Sequence, residues 1–125
     1  MKIIRYSEMK IAIPTNDKLN IVYHLRFAHG FMIYEIEDDE IRNKYYRKLN
    51  AMNNTDIQVS EIKYSHFAQI LTGCDLVILY AMNSEIEQEF RKAKIEIFIT
   101  SETDLLNSIK LYKQGKLMKL ASYVE

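Results

Sequence analysis

Leu76, Val77, Ile78 and Leu79 form an unbroken apolar run, and this run constrains the fold more than any other stretch of the chain. A strand with no polar alternation is buried on both faces, as strands of a parallel sheet are. Ala81-Met82-Asn83 then makes a short break, and Ser84 stands three residues before Glu87. That spacing predicts a capping box, in which each side chain satisfies a backbone N–H of a helix's first turn. Ile86, Phe90 and Ala93 follow at spacings of four and three and are expected on one helix face; Ile95, Ile97 and Ile99 then alternate with Glu96 and Phe98 as a second strand. Strand, capped helix and strand make a βαβ unit with a right-handed crossover. Ligand sites in such sheets lie beyond the carboxyl ends of the strands, which here means Tyr80 to Ser84.

Upstream, Met1 to Glu8 reads as a short extension, and residues 9–125 as one domain. Lys10 to Ile13 is expected as a strand stopped by Pro14, which has no N–H for a ladder. Thr15 to Gly30 is a polar, irregular connection, Phe31 to Ile36 a strand, Asp38-Asp39 a two-residue turn, and Ile41 to Tyr46 the returning strand. Leu49 to Asp56 reads as a loop. A helix is expected between Ser60 and Thr72 with Tyr64, Phe67, Ile70 and Leu71 on its apolar face, ended by Gly73 at the left-handed C′ position. Ser101 can cap a last helix whose stripe is Leu105, Leu106, Ile109 and Tyr112 and which Gly115 ends; the tail Lys116 to Glu125 keeps a few apolar residues. Strands alternating with helices imply an α/β fold, an open sheet with helices on both faces. If the first strand points up, Thr15–Gly30, Leu49–Asp56 and Tyr80–Ser84 converge at the upper edge.

Composition narrows the function. With 125 residues, 48% of them hydrophobic, a single domain with one core is expected. Seventeen basic residues balance seventeen acidic ones, which argues against nucleic acid or an anionic membrane as partner. One cysteine, no membrane-length apolar run and a polar start point to a reducing, cytoplasmic setting. The first strand carries no acid and the strand from Leu76 only Asp75 before it, so the paired carboxylates of a two-metal nuclease are missing. No nucleophile–base pair, phosphate loop or paired-cysteine motif is present, and the expectation is a non-enzyme.

Several segments, in order, resemble one known family: KIAIPTND from Lys10, His24-x-x-x-Ala28, FMIYEIEDDEI from Phe31, LTGCDLVI from Leu71, KAKIEIFIT from Lys92, and QGKL from Gln114. Together they look like the dinitrogenase iron–molybdenum cofactor biosynthesis family, over Met9 to about Leu117. The resemblance implies a ribonuclease-H-like three-layer α/β/α sandwich with a mixed five-stranded sheet. It further implies a binding domain that carries an iron–sulfur or iron–molybdenum cluster precursor and meets cluster-assembly proteins. The implied ligand surface is His24, Arg26, His29, Asn83 and Ser84, with His24 at the position of the family histidine.

Two departures bear on that surface. The family's His-Phe-Gly-Arg-Ala is here His24-Leu25-Arg26-Phe27-Ala28, and its glycine-rich loop is here Tyr80-Ala81-Met82-Asn83-Ser84-Glu85. Glycines there let a ligand approach the N–H groups of a helix N-terminus; Tyr80 and Met82 fill the space, and Glu85 and Glu87 repel an anion. The alternative is therefore a divergent member that no longer binds a cluster and acts as an interaction or regulatory module. Imidazole suits transition metals, yet His24 can equally be a loop histidine that fixes a turn. His29 reads as a surface residue, His66 as structural, and Cys74 as a buried thiol away from the converging loops.

Overall fold

The computed structural model describes residues 8–49 and 64–118. The extension Met1–Ser7, the loop beyond Leu49 with the first residues of the expected helix, and the tail beyond Met118 lie outside the described residues. Within them the order is β1 (Met9–Pro14), β2 (Gly30–Glu37), β3 (Glu40–Lys48), α1 (Tyr64–Ile70), β4 (Leu76–Leu79), α2 (Ser84–Lys92), β5 (Glu96–Ile99) and α3 (Leu105–Lys113). A short 3-10 turn, Leu25–Phe27, lies in the long connection after β1.

The five strands form one mixed sheet in the order β3-β2-β1-β4-β5. β2 runs antiparallel to β1 and β3, whereas β1, β4 and β5 are parallel. Asp38 and Asp39, both left-handed with φ 55° and 66°, make the two-residue turn between β2 and β3. Two positive φ values in succession give that turn the twist its strands need, and aspartate tolerates them better than most residues.

β4 is buried on both sides. Val77 and Leu79 join a core with Ala12, Phe31, Ile33, Phe67, Ile86 and Phe90, beneath α1 and α2. Leu76 and Ile78 join a second core with Ile11, Ile13, Met32, Tyr34, Leu105 and Ile109, beneath α3. The strand's period of two thus serves both outer layers, and each of its aliphatic side chains contributes about 1.5–3 kcal/mol by leaving water. The result is the three-layer α/β sandwich with a mixed five-stranded sheet that the sequence leads one to expect.

Helix starts and faces differ from expectation in detail. Asn83, not Ser84, caps α2: its Oδ1 accepts the Ile86 N–H at 2.9 Å, and Glu87 pairs with Arg91 at 2.7 Å. Asp104, not Ser101, caps α3 by accepting the Asn107 N–H at 2.7 Å. Ala93 is the exposed C-cap of α2, and Leu106 is exposed, while Ser108 takes the buried place on α3 and donates its hydroxyl to the Leu105 carbonyl. Asp75 stitches the lower edge: its carboxylate accepts the Lys10 N–H at 2.8 Å, and its carbonyl accepts the Glu96 N–H at 3.0 Å.

Candidate functional site

The ends of β1, β4 and β5 and the start of β2 place three connections at one sheet edge. The long one, Thr15 to His29, is pinned at several points. Val22 N–H donates to the Pro14 carbonyl at 2.9 Å, Ile21 N–H to Thr103 at 2.8 Å, and Leu105 N–H returns to Leu19 at 2.9 Å. Asp17 closes a turn by accepting the Leu19 and Asn20 N–H groups, both at 2.8 Å, and these bonds hold its carboxyl far below the ordinary carboxylate range. Asn16 clamps the far end, donating to the Phe27 carbonyl at 3.0 Å and accepting the His29 N–H at 2.7 Å. Leu49 N–H donates to the His29 carbonyl at 2.9 Å, so the end of β3 reaches the same edge.

His24 caps the 3-10 turn. Its Nδ1 accepts the Arg26 N–H at 3.3 Å, and its ring meets Phe27 edge-on at a centroid distance of 6.0 Å. That nitrogen serves the turn rather than a ligand. Arg26 is exposed, its guanidinium 5.8 Å from the centre of the Phe27 ring. His29 is exposed, with its backbone fixed by Asn16 and Leu49. Asn83 is engaged as the cap of α2, and its amide donates to the Tyr64 hydroxyl at 3.5 Å; Ser84, the first residue of α2, is exposed beside Glu85.

The two halves of the candidate surface meet through aromatic rings rather than through these polar groups. Tyr23 and Tyr80 approach to 5.5 Å between centroids, joining the long loop to the β4–α2 loop. Met82 turns inward and is buried in the core with Ile86. The side chains of Tyr80 and Met82 thus fill the loop after β4.

The other candidates lie elsewhere. Cys74 is buried just before β4, at the opposite edge, and burial pushes its thiol pKa up. His66 sits on α1. A shallow groove of about 540 Å³ also lies at that opposite edge, lined by Glu8, Lys10, Glu35, Glu37, Arg42 and Asp75 among others. Its charges are largely internal pairs, Lys10 with Glu35 at 3.7 Å and Arg42 with Glu37 at 3.8 Å. Among the described residues no group of three or more His, Cys, Asp or Glu is placed to hold a metal ion, and no helix is long and apolar enough to cross a membrane.

Fold and edge together define a three-layer α/β domain that presents a loop-built surface at the carboxyl ends of its parallel strands. The model of the dinitrogenase iron–molybdenum cofactor family matches residues 7–115, and the chain belongs to that family. An uncharacterised protein of Methanocaldococcus jannaschii is 30% identical over 118 residues, 94% of this chain and 97% of its own. The fold is shared with a proposed dinitrogenase from the same organism, at TM-score 0.67 and 23% identity, covering 95% of this chain and 98% of that one. It is shared too with the apo form of the orange protein from Desulfovibrio gigas, at TM-score 0.69 and 14% identity, covering 94% and 97%.

Proposed function

We propose that this chain is a non-catalytic carrier domain for an anionic iron–sulfur or iron–molybdenum cluster precursor, handled at the upper edge between the Thr15–Gly30 loop and the start of α2. What carries the reading, beside family membership, is the docking of the long loop on the β4–α2 loop through Tyr23 and Tyr80. This contact puts the His24 turn on the edge where α/β sheets bind ligands. The donors suit a cargo held weakly and released. One imidazole and one guanidinium stand on a clamped loop, without the ring of thiolates that seals a resident cluster. Cluster-assembly proteins are the corresponding partners, and His24 is the main determinant, with Arg26 supplying charge.

A second reading rests on the β4–α2 loop. Buried Met82, half-buried Tyr80 and exposed Glu85 deny an anion the N-terminus of α2, as in a member that has given up cluster binding for protein interaction. Anaerobic titration of the full chain and of His24→Ala with iron and sulfide, followed by absorption and paramagnetic resonance, separates the two. Carriage predicts a cluster signal on the native chain that His24→Ala largely removes. A signal that survives the substitution overturns the site; no signal on either protein overturns carriage in favour of the interaction module.

A further inference from the structure

The upper edge divides by charge. Above β4, β5 and the helices that follow stand Glu85, Glu102 and Asp104. Above β1, β2 and β3 stand Lys18, Arg26 and Lys48, and the one acid beside them among the described residues, Asp17, spends its oxygens on its own turn. Among the described residues none of these three cations has a carboxylate at ion-pair distance, whereas Lys10, Arg42, Arg91 and Lys92 all do. The placement is built. Tyr46 donates its hydroxyl to the Thr15 carbonyl at 2.7 Å, and its ring lies across Gly30. Lys18 sits over that ring, 5.1 Å from its centre, and Lys48, paired with Gly30 in the sheet, is two residues further along the same face. The Asn16 clamp holds Arg26 and Phe27 beside this corner.

Exposed apolar side chains accompany the cations. Leu19 is 66% exposed, Tyr23 64% and Phe27 57%, all on this one loop. Exposed aromatic residues beside arginine are the composition of protein-binding hot spots. A small anion alone would have no use for that apolar surface. We propose that the corner formed by Lys18, Arg26, Phe27 and Lys48 is a docking surface for a protein partner that presents acidic side chains around an apolar centre. Charge complementarity selects the partner and sets its approach; exposed Phe27 supplies the apolar contact that water leaves.

The inference is independent of whether the chain carries a cluster, and its test uses no metal. Three peptides with the same apolar positions, carrying glutamate, glutamine or lysine at the others, are titrated into the isotope-labelled full chain and read by amide chemical shifts. The expected result is that the glutamate peptide shifts signals of Lys18 to Gly30 and of Lys48. Lys18→Glu/Lys48→Glu and, separately, Phe27→Ser should each weaken binding by about tenfold, with unchanged circular dichroism. Equal binding of the glutamine or lysine peptide overturns the proposal, as does a shift map centred elsewhere. Tighter binding of a single-stranded oligonucleotide at the same residues overturns it in favour of nucleic acid. Concentration-dependent shifts of these amides without peptide overturn it in favour of a second copy.

Discussion

Replacing Lys94 by glycine should stabilise this protein. Lys94 follows the C-cap of α2 with φ 63°, a left-handed backbone that glycine adopts freely and a β-carbon resists. The geometry is a Schellman ending: Ile95 N–H donates to the Phe90 carbonyl at 2.9 Å and Lys94 N–H to Arg91 at 3.0 Å. Ile95 is 4% exposed and Phe90 fully buried, so this turn cannot relax without opening the core. α3 ends in the same way, with Lys116 N–H to Leu111 at 2.8 Å and Gly115 N–H to Tyr112 at 2.9 Å, but there the left-handed residue, φ 72°, is glycine. Relief of the left-handed strain is worth about 1–2 kcal/mol, and glycine's greater freedom in the unfolded chain takes back about 0.4–1 kcal/mol. The net gain for Lys94→Gly is thus about 0.5–1 kcal/mol, or a rise of roughly 2–5 °C in Tm. Lys94 is exposed and has no ion pair among the described residues, so no partner is lost. Urea denaturation of the full chain, with Lys94→Ala as the control that keeps the β-carbon, measures it. A Lys94→Gly protein no more stable than Lys94→Ala would show that the strain is not there to relieve.

Other expectations follow from the same contacts. Asn83→Ala should cost about 1 kcal/mol by removing the α2 cap, and Ser84→Ala a few tenths at most, so equal losses in denaturation would return the cap to Ser84. Gly30→Ala should cost about 1–3 kcal/mol, because the added carbon would stand 2.7 Å from the Arg47 carbonyl and from the Tyr46 ring, and one of the two is backbone; a neutral outcome in the same assay would contradict the close approach. Asp17, whose pKa lies far below its ordinary 3.8, binds its proton less readily folded than unfolded, so its contribution is present above about pH 4 and lost as pH falls toward the folded value. The stability gap between the native chain and Asp17→Asn should therefore narrow below pH 4, modestly since the group is exposed; a gap constant down to pH 2 would refute the assignment.

What the sequence revealed and what it hid have separate physical causes. β4 was legible because burial on both faces leaves no room for a polar residue, so the run from Leu76 to Leu79 admits one reading. The Asp38-Asp39 turn was legible because few residue pairs accept two left-handed conformations in succession. The helix starts were not, because Asn83-Ser84 and Ser101 through Asp104 offer several capping residues within a turn of one another, and the choice among them is made in three dimensions. Asn83 is favoured by Tyr64 on another element, and Glu87 is drawn forward to Arg91. Ser108 reads as polar yet is buried, because its hydroxyl is satisfied by its own helix. The functional surface was half legible. The His24 turn and the β4–α2 loop follow from topology, but Lys18 and Lys48 are thirty residues apart, and only the fold places Lys18 over Tyr46, two residues before Lys48 on β3.

That division of the edge has a consequence for how an anionic cargo could be held. In a sheet of this kind the first resort for an anion is the N-terminus of the helix after the buried strand, where N–H groups and the helix dipole converge. Here Asn83 already satisfies one of those N–H groups, Met82 packs inward, and Glu85 places a negative charge in the first turn. An acid in that first turn opposes the approach of an anion. On the proposed carrier reading, the anion must then lean on the opposite bank, on Arg26 and His24, while the neighbouring Lys18 and Lys48 face outward around Tyr46. Cargo and partner would share one clamped loop, Thr15 to His29, from two sides. Loosening its Asn16 clamp should weaken both, which makes Asn16→Ala the variant on which cluster titration and peptide titration can be read together.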